Sequence, residues 1–340
     1  MVINVVILAA GKGTRMKSAK PKVLHKIAGL PMVEHVVLTA KKIKAQKIAV
    51  VYGHGGDLVK AHFEKHSCTE IIDWVEQKEQ LGTGHAVLQA MPMLEEHSQV
   101  LILYGDVPLI KAETLNELIE VSRGGVGLLT VNLPNPSGYG RIMRNDQNEV
   151  VGIVEQKDAS EKQKEINEVN TGILTMSAEL LSSWLPKLGN NNAQGEYYLT
   201  DLIAMASSEG IAIHTTQPNE AVEVEGINNR KQLANIERAF QKEAAEALME
   251  LGVSFIDPDR VDIRGEVEVG EDTEIDINII LEGTVSIGSG VCIGPNCTIT
   301  NSRIGDNVII KANSVIDDAV IAANCEIGPF ARVRPGTEMA

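Results

Sequence analysis

The residues best suited to phosphate chemistry follow the first apolar run of the chain. The stretch Leu8–Met16 reads LAAGKGTRM and is followed by Pro21-Lys22. Small residues let a backbone approach phosphate groups closely, and Arg15 and Lys22 add positive charge. The spacing fits neither a dinucleotide fingerprint, which needs glycine in place of Met16, nor a Walker loop. The stretch therefore indicates a phosphate-binding turn, with a plain strand-to-helix turn and surface lysines as the alternative.

Apolar runs that alternate with helical patterns predict the elements that position these residues. The runs Val2–Ala10, Ile48–Tyr52, Val100–Tyr104 and Gly127–Val131 have the composition of strands in a parallel sheet. Their alternation with helices predicts an α/β fold with a doubly wound, mostly parallel sheet. Ligands of such sheets bind beyond the carboxyl ends of the strands. Gly11 and Asp106 each follow such an end, so we expect them to share one site.

Charge and cysteine content restrict the kind of protein. The formal net charge of −15 over 340 residues disfavours general nucleic-acid binding, so a phosphate ligand needs a local cluster of cations and N–H groups. The apolar N-terminal run is too short to span a membrane. The four cysteines, Cys68, Cys292, Cys297 and Cys325, form no C-x-x-C pair. We expect small buried thiols and a cytoplasmic enzyme with no membrane span.

A six-residue period dominates the C-terminal third. Residues 229–251 predict an amphipathic linker helix that stops at Gly252. Beyond it, an aliphatic residue recurs every six positions, at Ile263, Val269, Ile275, Leu281, Ile287, Ile293 and Ile299. After a slip near Ile304, the expected series is Ile309, Val315, Ile321, Ile327 and Val333. Hexapeptide repeats of this kind are typical of a parallel β-helix, here expected to be left-handed.

The chain resembles a known family at a series of motifs. The first stretch matches the LAAGxGTRM…PK signature of sugar-1-phosphate nucleotidyltransferases. Further matches are Gln77, Gln80–His85, Tyr104–Pro108, Gly138–Arg141, Val154-Glu155, Asn170–Gly172, Gly195–Tyr198 and Glu225–Asn229. Together with the hexapeptide repeats, these motifs are similar to the bacterial bifunctional N-acetylglucosamine-1-phosphate uridyltransferase/glucosamine-1-phosphate acetyltransferase family. The resemblance extends over the whole chain.

The resemblance implies a reaction and a set of site residues. The reaction transfers uridylyl from UTP to N-acetylglucosamine 1-phosphate, giving UDP-N-acetylglucosamine for peptidoglycan and lipopolysaccharide precursors. The implied catalytic residues are Arg15, Lys22 and Asp106, and Asp106 with Asn228 would hold Mg²⁺, which prefers few protein ligands. The other implied binding residues are Leu8, Ala9, Ala10 and Gly11 for the nucleotide, Gln77, Gly82 and Thr83 for uracil, Tyr104 and Gly105 beside Asp106, Gly140, Glu155 and Asn170 for the sugar, and Arg334 for a sugar phosphate in the acetyltransferase pocket.

The resemblance also implies a domain plan. We expect a uridyltransferase domain over residues 1–228, a linker helix over 229–251 and the N-terminal part of an acetyltransferase domain over 252–340. In the family the β-helix continues further and carries a catalytic histidine, but no histidine follows His214 here. We therefore expect a chain truncated within its second domain and lacking the acetyl transfer from acetyl-CoA to glucosamine 1-phosphate, taken from a protein that forms homotrimers.

Alternatives exist for single residues and for the whole chain. Asp106 could cap a helix, Asn228 could lie in a plain turn, and Lys22 and Glu155 could be solvated surface charges. The chain could instead use another sugar or nucleotide, or act as a non-catalytic regulator that binds sugar nucleotides. A nicotinamide-dependent dehydrogenase is a further alternative, which the missing third glycine disfavours. The joint presence of Arg15, Lys22, Asp106 and Asn228 favours catalysis.

Overall fold

Tertiary contacts divide the protein into two compact units. The computed structural model describes residues 2–53, 55–65 and 71–340. The first unit contains the chain up to His25 and the segment Pro31–Gln232, and the second contains Lys26–Leu30 and Leu233–Ala340. The domain boundaries predicted after residues 228 and 251 stay predictions. Within the described ranges, no helix has both the length and the apolar character needed to cross a membrane.

Alternating strands and helices build the first unit around one sheet. The strands of this sheet are β1 Ile3–Ala9, β4 Lys47–Tyr52, β5 Ile72–Glu76, β6 Gln99–Tyr104, β7 Val126–Asn132, β8 Arg141–Arg144, β9 Val150–Val154, β10 Glu168–Ser177 and β11 Ile213–Thr216. The short strands β2 Lys26–Ile27 and β3 Leu30–Pro31 form a two-stranded sheet of their own, and β2 belongs to the second unit. The helices of the chain are α1 Met32–Lys42, α2 Gly56–Lys65, α3 Thr83–Ala90, α4 Ala112–Val121, α5 Glu161–Lys164, α6 Ala178–Trp184, α7 Asp201–Ser208 and α8 Arg230–Glu250. The sheet order is β11-β7-β10-β6-β1-β4-β5, with β8 and β9 attached at β10. The predicted mostly parallel α/β sheet is confirmed, with β10 antiparallel to β6 and β7.

Both faces of the central strand are buried, as its uninterrupted apolar sequence requires. Side chains of successive strand residues point to opposite faces. Val5 and Ile7 of β1 accordingly pack with α1, α2 and α4, whereas Val6 and Leu8 pack with α3, α6 and α7. These four residues are at most 8% exposed. Helices on both sides of the sheet therefore hold the carboxyl end of β1 in place.

The carboxyl ends of three parallel strands meet at one edge of the sheet. Leu8 of β1 pairs with Tyr104 at the end of β6, and Ala9 pairs with Tyr52 at the end of β4. The residues that follow these ends are therefore neighbours. This register brings Gly11 and Asp106 to the same edge, as expected for a ligand site in a doubly wound sheet.

The second unit is the predicted parallel β-helix of hexapeptide repeats. Its strands are β12 Ser254–Phe255, β13 Val261–Val269, β14 Glu274–Ile275, β15 Ile279–Ile287, β16 Cys292–Ile293, β17 Thr298–Thr300, β18 Arg303–Ile304, β19 Ile309–Ile310, β20 Val315–Asp317, β21 Val320–Ile321, β22 Glu326–Ile327, β23 Arg332–Val333 and β24 Glu338–Met339. Strands pair in parallel from one coil to the next, as β13 does with β15. Every position of the predicted series from Ile263 to Ile299 is buried, which confirms that part of the repeat.

The register predicted after the slip is wrong by one residue at its first two positions, whereas Ile321, Ile327 and Val333 are buried as predicted. Ile309 and Val315 are 44% and 42% exposed, whereas Ile310 and Ile316 are buried. The first coils repeat after 18 residues, but Ile299 pairs with Ile316, which lies 17 residues further on. Because side chains alternate between the two faces of a strand, one missing residue exchanges inward and outward positions.

Alanine substitutions at neighbouring positions test this register. Ile316→Ala is expected to destabilise the β-helix by about 2–5 kcal/mol, because it opens a cavity in a closed core. Val315→Ala is expected to cost less than ~1 kcal/mol, because the side chain is partly solvated. Denaturant unfolding of both variants measures the difference. Equal losses, or a larger loss for Val315→Ala, would contradict the observed register.

The cysteines of the described chain are free thiols. Cys297 is buried in the β-helix core, as expected for a small apolar side chain. Cys292 is exposed and Cys325 is half-buried, so the expectation of buried thiols is wrong for Cys292. The physical reason is the alternation of the strand, in which Ile293 takes the inward position beside Cys292. Cys68 lies outside the described residues.

Candidate active site

A cavity of about 460 Å³ opens at the carboxyl ends of β1 and β6. Its walls come from the end of β1 and the residues after it, the turn that carries Lys22, the segment before α3 and the end of β6. The sequence-predicted residues in this lining are Leu8, Ala9, Ala10, Gly11, Lys22, Gln77, Gly82, Thr83, Tyr104 and Asp106. The structure therefore brings four distant segments of the chain together around one cleft.

The ammonium group of Lys22 lies where two oxygen atoms converge. Its Nζ forms an ion pair with Asp106 Oδ2 and donates a hydrogen bond of 3.1 Å to Asn228 Oδ1. The side chains of Lys22 and Asp106 are only 12% and 15% exposed. The alternative of a solvated lysine is therefore wrong. The alternative of a helix-capping aspartate is also wrong, because α4 begins at Ala112 with Lys111 as its N-cap.

Backbone pairing brings Asn228 to Asp106. The N–H of Ile227 donates to the carbonyl of Asp106 at 2.9 Å, which fixes the next residue beside the carboxylate. Asn228 Nδ2 donates to the Gly226 carbonyl at 3.4 Å, so its Oδ1 is the atom that faces Lys22. A carboxylate oxygen and an amide oxygen thus share one cation, which is the donor chemistry of a hard divalent ion.

The turn after β1 closes over the stem of Lys22. Gly13 has φ +59°, and a Cβ at this residue would lie 2.6 Å from Lys22 Cβ. Both the positive φ and the close approach require glycine here. Arg15 follows in the short 3₁₀ turn Thr14–Met16, in which Met16 is buried and Arg15 is exposed. The expected placement of Arg15 at the phosphates stays a prediction.

One end of the cleft is formed by the residue after β5 and the start of α3. Gln77 is 4% exposed, and its Nε2 donates to the Gly82 carbonyl at 3.1 Å. Thr83 Oγ1 accepts a hydrogen bond of 3.1 Å from the N–H of Leu199. Polar atoms that are fixed in this way suit the edge of a flat heterocycle, which needs donors and acceptors at set positions.

A second cluster surrounds Tyr104 and contains the residues predicted for the sugar. The N–H of Asn170 donates to the Gly140 carbonyl at 2.9 Å, and Asn170 Oδ1 accepts from the N–H of Gly172 at 2.9 Å. A Cβ at Gly140 would lie 3.5 Å from Glu155 Oε1, so this carboxyl lies against the same backbone. Gly140, Glu155 and Asn170 therefore form one group, although they do not belong to the cavity lining described above.

Tyr104 connects this cluster with the cleft. Burial, and then the charges of Glu155 and Asp106, raise the pKa of the Tyr104 phenol, so the ring stays neutral. Gly172 has φ +88°, and a Cβ there would lie 2.5 Å from Tyr104 Cε2. The ring therefore packs directly on the backbone of β10, at a position that only glycine allows. This contact orients Tyr104 between the group of Gly140, Glu155 and Asn170 and the carboxylate of Asp106.

The carboxyl of Glu155 is held in surroundings that disfavour its charge. Burial raises its pKa, and the carboxylates of Asp158, Asp201 and Glu196 raise it further, against a hydrogen bond from Thr200 that lowers it. A raised pKa in the folded state means that folding favours the neutral acid. Its contribution to stability is complete below the unfolded pKa and is lost as pH rises through the folded pKa.

The variant Glu155→Gln tests the direction in which the Glu155 carboxyl makes stability depend on pH. Near pH 7 it is expected to melt at a higher temperature than the wild type, because it removes a penalised charge. Each ~1 kcal/mol of relief corresponds to about 2–4 °C in Tm for a unit of this size. At about pH 4, where the wild-type carboxyl is protonated, the difference is expected to shrink. Thermal unfolding at both pH values measures it, and an equal difference at the two would contradict the assignment.

Gly105 and Arg334 also lie outside the cleft lining, each in a different way. Gly105 connects β6 with Asp106, and its N–H donates to the Leu8 carbonyl at 3.0 Å, so it fixes the strand ends. Arg334 belongs to the second unit, follows β23 and is exposed. Its backbone carbonyl accepts from the Thr337 hydroxyl at 2.7 Å, which is a local turn contact. Its predicted role in a second pocket stays a prediction.

Five residues of the lining were not predicted as site residues from the sequence. These are Lys12, Val23, Gln80, Ala86 and Glu196. Gln80 Nε2 donates to the Ala10 carbonyl at 2.6 Å and so ties the segment before α3 to the end of β1. Their places in the sequence could have indicated three of them, because Gln80 and Glu196 lie inside matched motifs and Lys12 follows Gly11.

Family models match both parts of the chain. Residues 5–138 match the MobA-like NTP transferase domain, and residues 263–339 match the GMPPB C-terminal domain. Among solved structures, a UDP-glucose pyrophosphorylase complexed with UDP-glucose has a TM-score of 0.58 and 16% identity, covering 72% of this chain and 100% of that chain. At this identity, the similarity shows the fold alone.

Two bacterial relatives are far more similar in sequence. The bifunctional protein GlmU of Marinobacter nauticus is 55% identical over 339 residues, which are 99% of this chain and 74% of the relative. The bifunctional protein GlmU of Idiomarina loihiensis is 56% identical over 341 residues, with coverage of 100% and 74%. The chain therefore belongs to the family of bifunctional GlmU proteins and is a nucleotidyltransferase.

Proposed function

We propose that the chain transfers a uridylyl group from UTP to N-acetylglucosamine 1-phosphate, giving UDP-N-acetylglucosamine and pyrophosphate. As a family member, it acts on nucleotide-sugar substrates and requires a divalent metal ion. The observation that carries the proposal is the Lys22–Asp106–Asn228 group at the cleft. It stands at the strand ends, near the fixed polar atoms of Gln77 and the sugar cluster around Tyr104.

The chemistry is a displacement at phosphorus. An oxygen of the sugar phosphate forms a bond to the α-phosphorus of UTP, and the bond from that phosphorus to the pyrophosphate oxygen breaks. Both reactants are anionic, so charge neutralisation and alignment supply most of the catalysis, and a protein nucleophile is not required. Arg15 and Lys22 are proposed to neutralise phosphate oxygens, and the small residues Leu8–Gly11 to let the nucleotide approach the backbone.

The residues present fit a divalent ion. Asp106 Oδ2 and Asn228 Oδ1 already converge on one positive group, the Lys22 ammonium. One carboxylate and one amide leave the other positions of an octahedron to water and phosphate oxygens, which is the pattern Mg²⁺ prefers. Described residues contain no cluster of three histidines, cysteines or acids that would suit a softer or more tightly held metal. We therefore propose Mg²⁺, which would supply positive charge to the phosphates.

The remaining site residues are proposed to bind the two substrates. Gln77, Gly82 and Thr83 would contact uracil, whereas Tyr104, Gly105, Gly140, Glu155 and Asn170 would surround the sugar. Arg334 is proposed to bind a sugar phosphate in the acetyltransferase pocket of the full-length protein. The resemblance further supports a homotrimer for that protein and a cytoplasmic location.

A pyrophosphate-release assay with a panel of substrates tests the proposal. UTP with N-acetylglucosamine 1-phosphate is expected to be the preferred pair, and omission of Mg²⁺ is expected to abolish release. Preference for glucose or mannose 1-phosphate, or for another nucleoside triphosphate, would assign a different transferase reaction. Absence of release with every pair would favour a regulator that binds sugar nucleotides without reacting.

A further inference from the structure

The carboxamide of Gln77 is held in one orientation. Its backbone N–H donates to the Tyr52 carbonyl at 2.8 Å, and its Nε2 donates to the Gly82 carbonyl at 3.1 Å. The Gly82 carbonyl also accepts from the N–H of Ala86 at 3.1 Å, inside α3. A carbonyl oxygen only accepts hydrogen bonds, so the nitrogen of the carboxamide, and not its oxygen, must face Gly82.

His85 accepts a hydrogen bond from the second hydrogen of the same amide. Its Nδ1 lies 3.1 Å from Gln77 Nε2. Because an amide nitrogen donates hydrogen bonds and does not accept them, Nδ1 must be the accepting nitrogen of the ring. The proton of the neutral ring must then be on Nε2. Gln89 Nε2 lies 3.3 Å from His85 Nε2, and since two donors cannot pair, this tautomer requires the Gln89 carboxamide to be turned over so that its oxygen accepts the proton. The network therefore fixes both the tautomer of His85 and the amide of Gln77.

One polar atom of Gln77 is left for a ligand. No described residue forms a hydrogen bond with Gln77 Oε1, and Gln77 lines the cleft. An oxygen that only accepts can bind a donor on a base edge and repels a lone pair. Uracil has a donor at N3, its N–H, whereas cytosine has a lone pair at the same position.

We propose that His85 is a positioning residue that orients Gln77 to select uracil over cytosine. The proposal rests on the uridylyl transfer proposed above, in which Gln77 meets the base. His85 does not touch the nucleotide. His85 Nδ1 and the Gly82 carbonyl accept the two hydrogen bonds that the Gln77 amide nitrogen can donate. Gln77 Oε1 is then left to accept from the N3–H of uracil. Without Nδ1 only the Gly82 carbonyl opposes rotation of the amide, and a rotated amide presents its nitrogen, which donates to the lone pair at N3 of cytosine.

The test compares UTP with CTP as donors in the pyrophosphate-release assay. His85→Phe keeps a flat ring of similar size but removes the acceptor. Its ratio of kcat/KM for UTP to that for CTP is expected to fall about 10- to 100-fold, as expected for the loss of one base-reading hydrogen bond. The loss is expected mainly in KM for UTP, with kcat at saturating UTP changed by less than about threefold.

Two further variants test the proposal even if the aromatic ring at position 85 is needed for folding. In His85→Asn the side-chain oxygen can reach the place of Nδ1, and in His85→Gln it reaches the place of Nε2. Restored UTP preference is therefore expected in His85→Asn and not in His85→Gln. Circular dichroism and Tm of all three variants separate misfolding from loss of orientation.

The outcomes distinguish this inference from the proposed function. If the wild type prefers UTP but the UTP/CTP ratio is unchanged in His85→Phe and His85→Gln, His85 has only a structural role and the inference is overturned. An equal fall in kcat/KM for both nucleotides leads to the same conclusion. If the wild type does not prefer UTP at all, the proposed function itself fails, before any variant is considered.

Discussion

Lys22→Ala is expected to lower turnover on the order of 100-fold or more. The ammonium is nearly buried and lies between Asp106 and Asn228, so it supplies positive charge at the point where the phosphates are proposed to react. Removing a preorganised charge partner of a transition state costs about 2.7–4 kcal/mol. The measurement is kcat for pyrophosphate release at saturating UTP and sugar phosphate.

A second lysine of the same cleft provides the comparison for Lys22. Lys12 also lines the cavity but is exposed, and it adds charge without the ion pair. Lys12→Ala is expected to lose less than about tenfold, in line with weaker interactions of solvated charges. A Lys22→Ala variant with near wild-type kcat and only a raised KM would assign Lys22 to substrate binding and remove it from the reaction step.

The strands that hold the cleft could be predicted because their sequences are unambiguous. The run Val2–Ala10 becomes β1 Ile3–Ala9, and Val100–Tyr104 becomes β6 Gln99–Tyr104. Continuous apolar, β-branched runs of this length occur in strands with both faces buried. Since ligands bind beyond such strand ends, Gly11 and Asp106 could be placed in one site from the sequence alone.

The partner of Asp106 could not be predicted from pattern. Asn228 reaches the carboxylate because the backbone N–H of Ile227 bonds to the Asp106 carbonyl at 2.9 Å, and backbone hydrogen bonds depend little on residue type. Only the resemblance of the Glu225–Asn229 motif to a known family pointed to this residue. The ion pair of Lys22 with Asp106 is likewise a tertiary contact, without a signal in spacing.

The β-helix shows where a periodic pattern fails. The first positions repeat without interruption, so the series through Ile299 could be predicted. After it, a coil loses one residue, and both Ile309 and Ile310 are aliphatic, so a period of six can be continued through either of them. A comparison over a whole coil resolves the choice, because Ile293, Ile310 and Ile327 are each 17 residues apart and all are buried.

Asp106→Asn is expected to lower turnover on the order of 1,000-fold and to raise the Mg²⁺ concentration needed for half-maximal rate. The substitution keeps the shape of the side chain but removes the only carboxylate of the proposed ion site. A metal ion contributes several kcal/mol of charge stabilisation, and ~4 kcal/mol corresponds to about 1,000-fold in rate. The matched control is Asp73→Asn in β5, which does not line the cleft and is expected to change the rate by less than about threefold. An unchanged Mg²⁺ dependence in Asp106→Asn would remove Asp106 from the metal site.

The two large losses are expected not to multiply. Lys22 and Asp106 are ion-pair partners, so each single substitution also leaves the other charge uncompensated in a cleft where both are mostly buried. Groups that act as a unit show double-variant losses close to that of the worse single variant. The double variant Lys22→Ala/Asp106→Asn is therefore expected to retain a rate within about tenfold of Asp106→Asn. A loss equal to the product of the two single losses would mean that Lys22 and Asp106 act independently, and the ion pair would then have no part in arranging the reacting phosphates.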